Sequence, residues 1–157
     1  MMSSKTLRPE DMEIMYSHAI REYPNECCGI ILGKVNDPSF NEVRPGTNIQ
    51  HQLKEQYPHL YQRDADTGYF LDPKELMAAF TDAGEKELDV IGFYHSHPNH
   101  APYWSDEDQR AAMWAGTGEP SFPDTYHVVI SIYDGIVKGA AMFLWDAESS
   151  QYVEEPI

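Results

Sequence analysis

The chain has 157 residues, 41% of them hydrophobic and 12% aromatic. That is enough for one buried core, short for two, and too apolar for a disordered acidic tail. Its 26 Asp+Glu against 11 Lys+Arg give a net charge of −15, which opposes phosphate backbones and anionic lipid surfaces, so nucleic-acid and membrane binding are set aside.

The first twenty residues hold no apolar stretch long enough for a secretory signal, and the longest apolar runs, such as Gly139–Trp145, are strand-length. Cys27 and Cys28 are adjacent, poor geometry for a structural disulfide and the wrong spacing for a zinc knuckle or a CxxC pair. Two thiols without a framework imply a reducing compartment, the cytoplasm.

In chain order, Pro9-Glu10-Asp11 opens a predicted helix to Glu22 with Met12, Met15, Tyr16, Ala19 and Ile20 at helical spacing, and Pro24-Asn25 stops it. Cys27–Val35 is a short apolar run bounded by turn residues and reads as a buried strand. A turn over residues 36–39 leads to an antiparallel return over Phe40–Thr47. Residues 48–67 are polar and aperiodic, mostly loop with one helical turn, and Gly68–Leu71 reads as a short strand.

Asp72-Pro73 then caps a helix to about Lys86 whose apolar side is Leu76, Met77, Ala79 and Phe80. Asp89–His95 is strand-like, Pro98–Trp104 a loop, and Ser105 caps a helix to about Ala115. Tyr126–Tyr133 and Ile136–Trp145 form a hairpin across Asp134-Gly135, with Gln151–Ile157 as a further edge strand or a frayed end. The order α-β-β-β-α-β-α-β-β predicts an α/β sandwich with a mixed, largely antiparallel sheet and about three helices.

The chemistry concentrates in His95-Ser96-His97-Pro98 followed by Ser105 and Asp108. On a strand, the i, i+2 spacing puts both imidazoles on one face. Asp108 is eleven residues beyond His97, enough for the chain to reverse and bring the next helix's first turn alongside. Two histidines and one carboxylate leave a fourth position of a tetrahedral zinc open, as in a catalytic site. Ser105-x-x-Asp108 is equally the pattern of a helix capping box, and the two readings are compatible.

Glu26 before Cys-Cys-Gly-Ile-Ile-Leu-Gly, His95-x-His97-Pro98 and Ser105-x-x-Asp108 together resemble the signature of the JAMM (MPN+) metalloprotease family, matched at every motif position. The resemblance extends over about residues 7–155 of what reads as one domain, 1–157, with the MPN, cytidine-deaminase-like fold. It implies that His95, His97 and Asp108 ligate zinc. It further implies that Glu26, not a ligand, takes a proton from the attacking water and returns it to the leaving amine, and that Ser105 donates to the oxyanion. Tyr103 and Trp104 are candidates for the groove wall or for packing. His100 reads as loop surface, and His18, His51, His59 and His127 as structural or exposed. Cys27 or Cys28 as a nucleophile is the weaker reading, and Gly116-Thr117-Gly118 lacks the context of a nucleotide loop.

Family members hydrolyse peptide or isopeptide bonds after the tails of ubiquitin-like proteins. With only Gly116–Asp124 between the third helix and the next strand, this chain resembles the small prokaryotic type that acts on sulfur-carrier proteins. The expected partner is such a tail, lying as an added strand on a sheet edge near Glu26 and His95. A non-catalytic MPN scaffold, a DNA-repair-associated relative and a cell-wall peptidase are the rival readings.

Overall fold

The structure, a computed structural model, describes residues 6–157. Its elements are α1 (Pro9–Glu22), β1 (Cys28–Lys34), β2 (Asp37–Pro45), α2 (Gln50–Gln56), α3 (Pro73–Glu85), β3 (Asp89–Pro98), α4 (Asp106–Ala112), β4 (Tyr126–Tyr133), β5 (Ile136–Asp146) and β6 (Gln151–Glu155). The strands form one mixed sheet in the order β2-β1-β3-β4-β5-β6. Its pairs are antiparallel except β3 with β4, the one parallel pair among the described strands.

β1 and β4 are buried on both faces apart from their last residue, which is why they read as unbroken apolar runs. Met15 and Ala19 of α1 cover one face of the sheet, packing with Ile31, Tyr94, Val128, Ile130 and Met142. On the other face Ala79 and Ala83 of α3 lie against Ile30 and Leu32, while Ala112 of α4 joins Val129, Ala141 and Phe143. Each large aliphatic side chain buried this way contributes about 1.5–3 kcal/mol before conformational entropy is set against it. Gly29 is required by this packing: a Cβ there would overlap the ring of Tyr94, whose hydroxyl hydrogen-bonds the buried His18 Nδ1 at 2.7 Å.

Four helices stand where about three were expected, because residues 50–56 close a full short helix, α2. Gly68–Leu71 is not a strand; only Leu71 bridges, to Asn48. The first hairpin turns at Val35-Asn36, tighter than expected, with Asn36 at φ 68°, and β2 begins at Asp37. Asp134 and Gly135 both take positive φ, as a two-residue hairpin turn requires. The apolar side expected for α3 is also corrected. Met77 and Phe80 are 72% and 44% exposed, because the helix approaches the sheet through its alanines. No helix among the described residues is long and apolar enough to cross a membrane.

Candidate metal centre

β3 ends in His95-Ser96-His97-Pro98, and the pleat turns both imidazoles toward the face that carries α3 and α4 while Ser96 points the other way. A parallel partner cannot be reached by a tight turn. The chain therefore leaves β3 through residues 99–104, forms α4 and returns as β4. Ser105 is the N-cap of α4: its Oγ accepts the Asp108 N–H at 3.0 Å, and its own N–H donates to Asp108 Oδ2 at 3.1 Å. The capping box thus aims the carboxylate back at the histidines, and the hydroxyl proton of Ser105 remains free to donate.

The three side chains converge. His95 Nε2 lies 2.9 Å from Asp108 Oδ1, His97 Nε2 lies 3.1 Å from Asp108 Oδ2, and the two Nε2 atoms are 3.3 Å apart. Donors held about 2.0–2.1 Å from a tetrahedral zinc are separated by roughly this spacing. His97 Nδ1 donates to the Ala101 carbonyl at 2.9 Å, which fixes the tautomer with a lone pair on Nε2. All three residues are buried. Burial would raise the Asp108 carboxyl, but His95 and His97 hold it below the ordinary carboxylate range. The set therefore fits a divalent cation of zinc's ligand preference.

Glu26 sits two residues before the start of β1 and is 7% exposed. Its neighbour Cys27 donates to Ser96 Oγ at 2.8 Å and accepts the Ser96 N–H at 3.1 Å, so the acid's backbone is stitched to the His-x-His strand. Burial, then the nearby Asp108 charge, pushes the Glu26 carboxyl up to about 9, with Arg63 opposing. A bound dication would act in the same direction as Arg63. Such a group, buried beside a metal site with its protonation under local control, is suited to carry a proton.

Three residues between β2 and α3, Asn48, Arg63 and Tyr69, complete the surroundings, and sequence reading missed them. Asn48 uses its whole carboxamide: Nδ2 donates to the carbonyls of Glu26 and Gly68 at 3.0 and 3.1 Å, and Oδ1 accepts the N–H groups of Gln50 and Phe70, both at 3.0 Å. Tyr69, gripped on either side by those bonds, stacks on His95 with ring centroids 4.6 Å apart. Arg63 lies 3.6 Å from Glu107 of α4. The only sequence signal for any of them was the cluster of aromatic and amide residues in a stretch without periodicity.

The other candidates fall out plainly. Tyr103 is 52% exposed and meets His97 edge-on, whereas Trp104 packs on His127 and Tyr152. His100 is exposed at the rim of the pocket, and His51 pairs with Glu55 on the surface. His127 is buried, with no hydrogen-bond partner for either ring nitrogen, and burial followed by His95 pushes it down to about 3. The nucleophilic-cysteine reading loses its basis: both thiols are free and buried, and burial raises both, Cys27 to about 12. The sheet-edge docking expected beside Glu26 and His95 is contradicted by topology, since β1 and β3 each have strands on both sides.

The pocket holding these groups has a volume of about 390 Å³. Gln50, Arg63, Tyr69, Glu107 and Ala111 line both this pocket and a second, mainly apolar cavity of about 720 Å³ that adjoins it.

Comparison with known proteins agrees with this geometry. A solution structure of a Desulfitobacterium hafniense protein superposes with a TM-score of 0.65 at 24% identity over 95% of this chain and 88% of the other. One from Salinibacter ruber gives 0.62 at 25% identity, over 95% and 87%. The desampylase of Haloferax volcanii is 30% identical over 96 residues, which is 59% of this chain and 58% of that protein. The CysO-cysteine peptidase of Mycobacterium tuberculosis is 27% identical over 128 residues, 82% of this chain and 73% of that protein. The family of prokaryotic homologs of the JAB domain matches residues 9–146, nearly the whole sheet and all the residues that converge at the end of β3. The chain belongs to this prokaryotic JAB-domain, or JAMM, family.

Proposed function

We propose that this protein is a zinc-dependent metallopeptidase that hydrolyses an amide bond at the C-terminal tail of a ubiquitin-like protein of the sulfur-carrier type. The observation that carries the reading is the convergence of His95, His97 and Asp108 beside the buried acid Glu26. A desampylase and a CysO-cysteine peptidase among the relatives support the substrate class.

In this reading His95, His97 and Asp108 hold the metal. A zinc ion held by them would supply Lewis acidity to the scissile carbonyl and to a water at the site. Glu26 takes a proton from the attacking water and returns it to the departing amine. Ser105 presents its hydroxyl proton to the oxygen on which negative charge develops. Ala101, through His97 Nδ1, and Tyr69, through the face of His95, keep the two imidazoles oriented.

The test is to measure metal content at neutral pH and then incubate the protein with ubiquitin-like carriers bearing C-terminal extensions, with and without chelator. Mass spectrometry is expected to show zinc at one per chain and a chelator-sensitive cut at the tail. Bound zinc with uncut tails would overturn the reading.

A further inference from the structure

The larger cavity adjoins the metal pocket, and Tyr69, which lines both, stacks on His95. Its interior is apolar, with Leu71, Leu76, Phe93 and Phe122 among its walls. The charged residues lining it are three: Arg63, Arg110 and Glu107. Both arginines pair with the one glutamate, so these three residues together carry one positive charge in excess, on a chain whose net charge is −15. Arg63 is 52% exposed in its side chain and lines both volumes; its Nε faces Glu107 at 3.6 Å and its Nη1 donates to the Thr67 carbonyl at 3.2 Å, which leaves its Nη2 without a partner among the described residues. A mainly apolar chamber with two arginines against one glutamate, beside the proposed hydrolytic site, matches a particular ligand chemistry: an apolar side chain whose own residue ends in a carboxylate.

We propose that this cavity receives the leaving residue, a C-terminal amino acid with an apolar side chain, and that Arg63 binds its free α-carboxylate. The inference rests on the peptidase reading above and narrows it to removal of a terminal residue from a linear tail. An isopeptide-linked lysine presents no such carboxylate at that place. The reaction is an ordinary hydrolysis: water adds to the carbonyl, the C–N bond breaks, the water oxygen becomes the tail's new carboxylate, and the proton held by Glu26 passes to the nitrogen. A guanidinium recognises a carboxylate through paired N–H donors, so the amide of the same residue is a poor substitute.

The experiment uses the zinc-loaded full chain and a ubiquitin-like carrier tail extended by Leu, Phe, Gly or Asp, each as free acid and as C-terminal amide. The expected kcat/KM is about tenfold or more higher for Leu and Phe acids than for their amides, and similarly higher than for Gly or Asp. Arg63→Gln is expected to abolish the acid-over-amide preference while keeping the preference for Leu and Phe. Leu76→Trp, which fills the chamber, is expected to do the reverse. Cleavage of acids and amides at equal rates would overturn the proposal and leave the peptidase reading standing; no cleavage of any tail would overturn the peptidase reading.

A turnover-independent arm titrates L-phenylalanine and L-phenylalaninamide into the parent and follows the NMR signals of Phe93, Phe122 and Arg63. Saturable shifts with the acid and none with the amide support the assignment. Identical behaviour of the two ligands, or no shift with either, refutes it.

Discussion

Tyr69 lies nearly flat on the imidazole of His95, with the ring planes 23° apart. The contact covers one face of the His95 ring, whose Nε2 edge meets His97 and Asp108, so it restrains the plane in which Nε2 points. Removing supports of this kind usually lowers metal affinity by about 10–100-fold. Tyr69→Leu is accordingly expected to weaken zinc binding by at least about tenfold in a chelator competition, and Tyr69→Phe to leave it within a few-fold. Equal affinity in all three proteins would show that the stack is incidental.

Glu26→Gln separates metal binding from chemistry. The amide cannot shuttle a proton, so turnover should fall by about 10²–10⁴-fold with zinc content unchanged. Loss of zinc from this variant, read by metal analysis, would instead place Glu26 among the ligands.

The same substitution gives a pH signature in the metal-free protein. Burial, then Asp108, raises the Glu26 carboxyl from 4.5 to about 9. A carboxyl raised by folding favours the folded state below its ordinary value, and that contribution disappears as pH climbs through the folded one. The Tm of Glu26→Gln minus that of the parent is therefore expected to increase between about pH 4.5 and pH 9. Asp108 is shifted the other way, so its contribution is lost only as pH falls into the acid range, outside this window. Zinc should flatten the difference, because a dication favours the ionised acid.

Asn48→Ala leaves four backbone groups without the partner they now have. With net values of about 0.5–1.5 kcal/mol per hydrogen bond, a loss of roughly 2–4 kcal/mol in denaturant unfolding is expected. Asn48→Asp keeps both acceptor bonds but removes both donors, so it should specifically loosen the Glu26 and Gly68 carbonyls. Hydrogen exchange should show the amides of Gln50 and Phe70 still protected in Asn48→Asp and unprotected in Asn48→Ala.

What the sequence disclosed and what it hid have different physical origins. The candidate site was legible because a strand repeats every two residues and a helix cap spans three, so His95, His97, Ser105 and Asp108 carry their geometry in their spacing. β1 and β4 were legible because burial on both faces demands continuous apolar residues. Residues 48–71 were not, because their order comes from Asn48 bonding distant backbone groups, an arrangement with no period. Met77 and Phe80 misled because helical spacing reports a stripe but not which side of it meets the sheet; Ala79 and Ala83 do, by allowing close approach. The docking edge near Glu26 failed for a related reason: strand order is set by long-range pairing, and nothing local in Cys28–Lys34 says that both its neighbours are taken.

The parallel pairing of β3 with β4 has a corollary. Parallel neighbours oblige the chain to travel the length of the sheet between them, so a connecting excursion must exist whatever chemistry it bears. Here that obligatory excursion carries Ser105 and Asp108. Replacing Asp108 would therefore remove the proposed third ligand while leaving the excursion and the sheet it closes in place. The proposed chemistry is a tenant of a route that the fold would have to build anyway, so the framework does not depend on it.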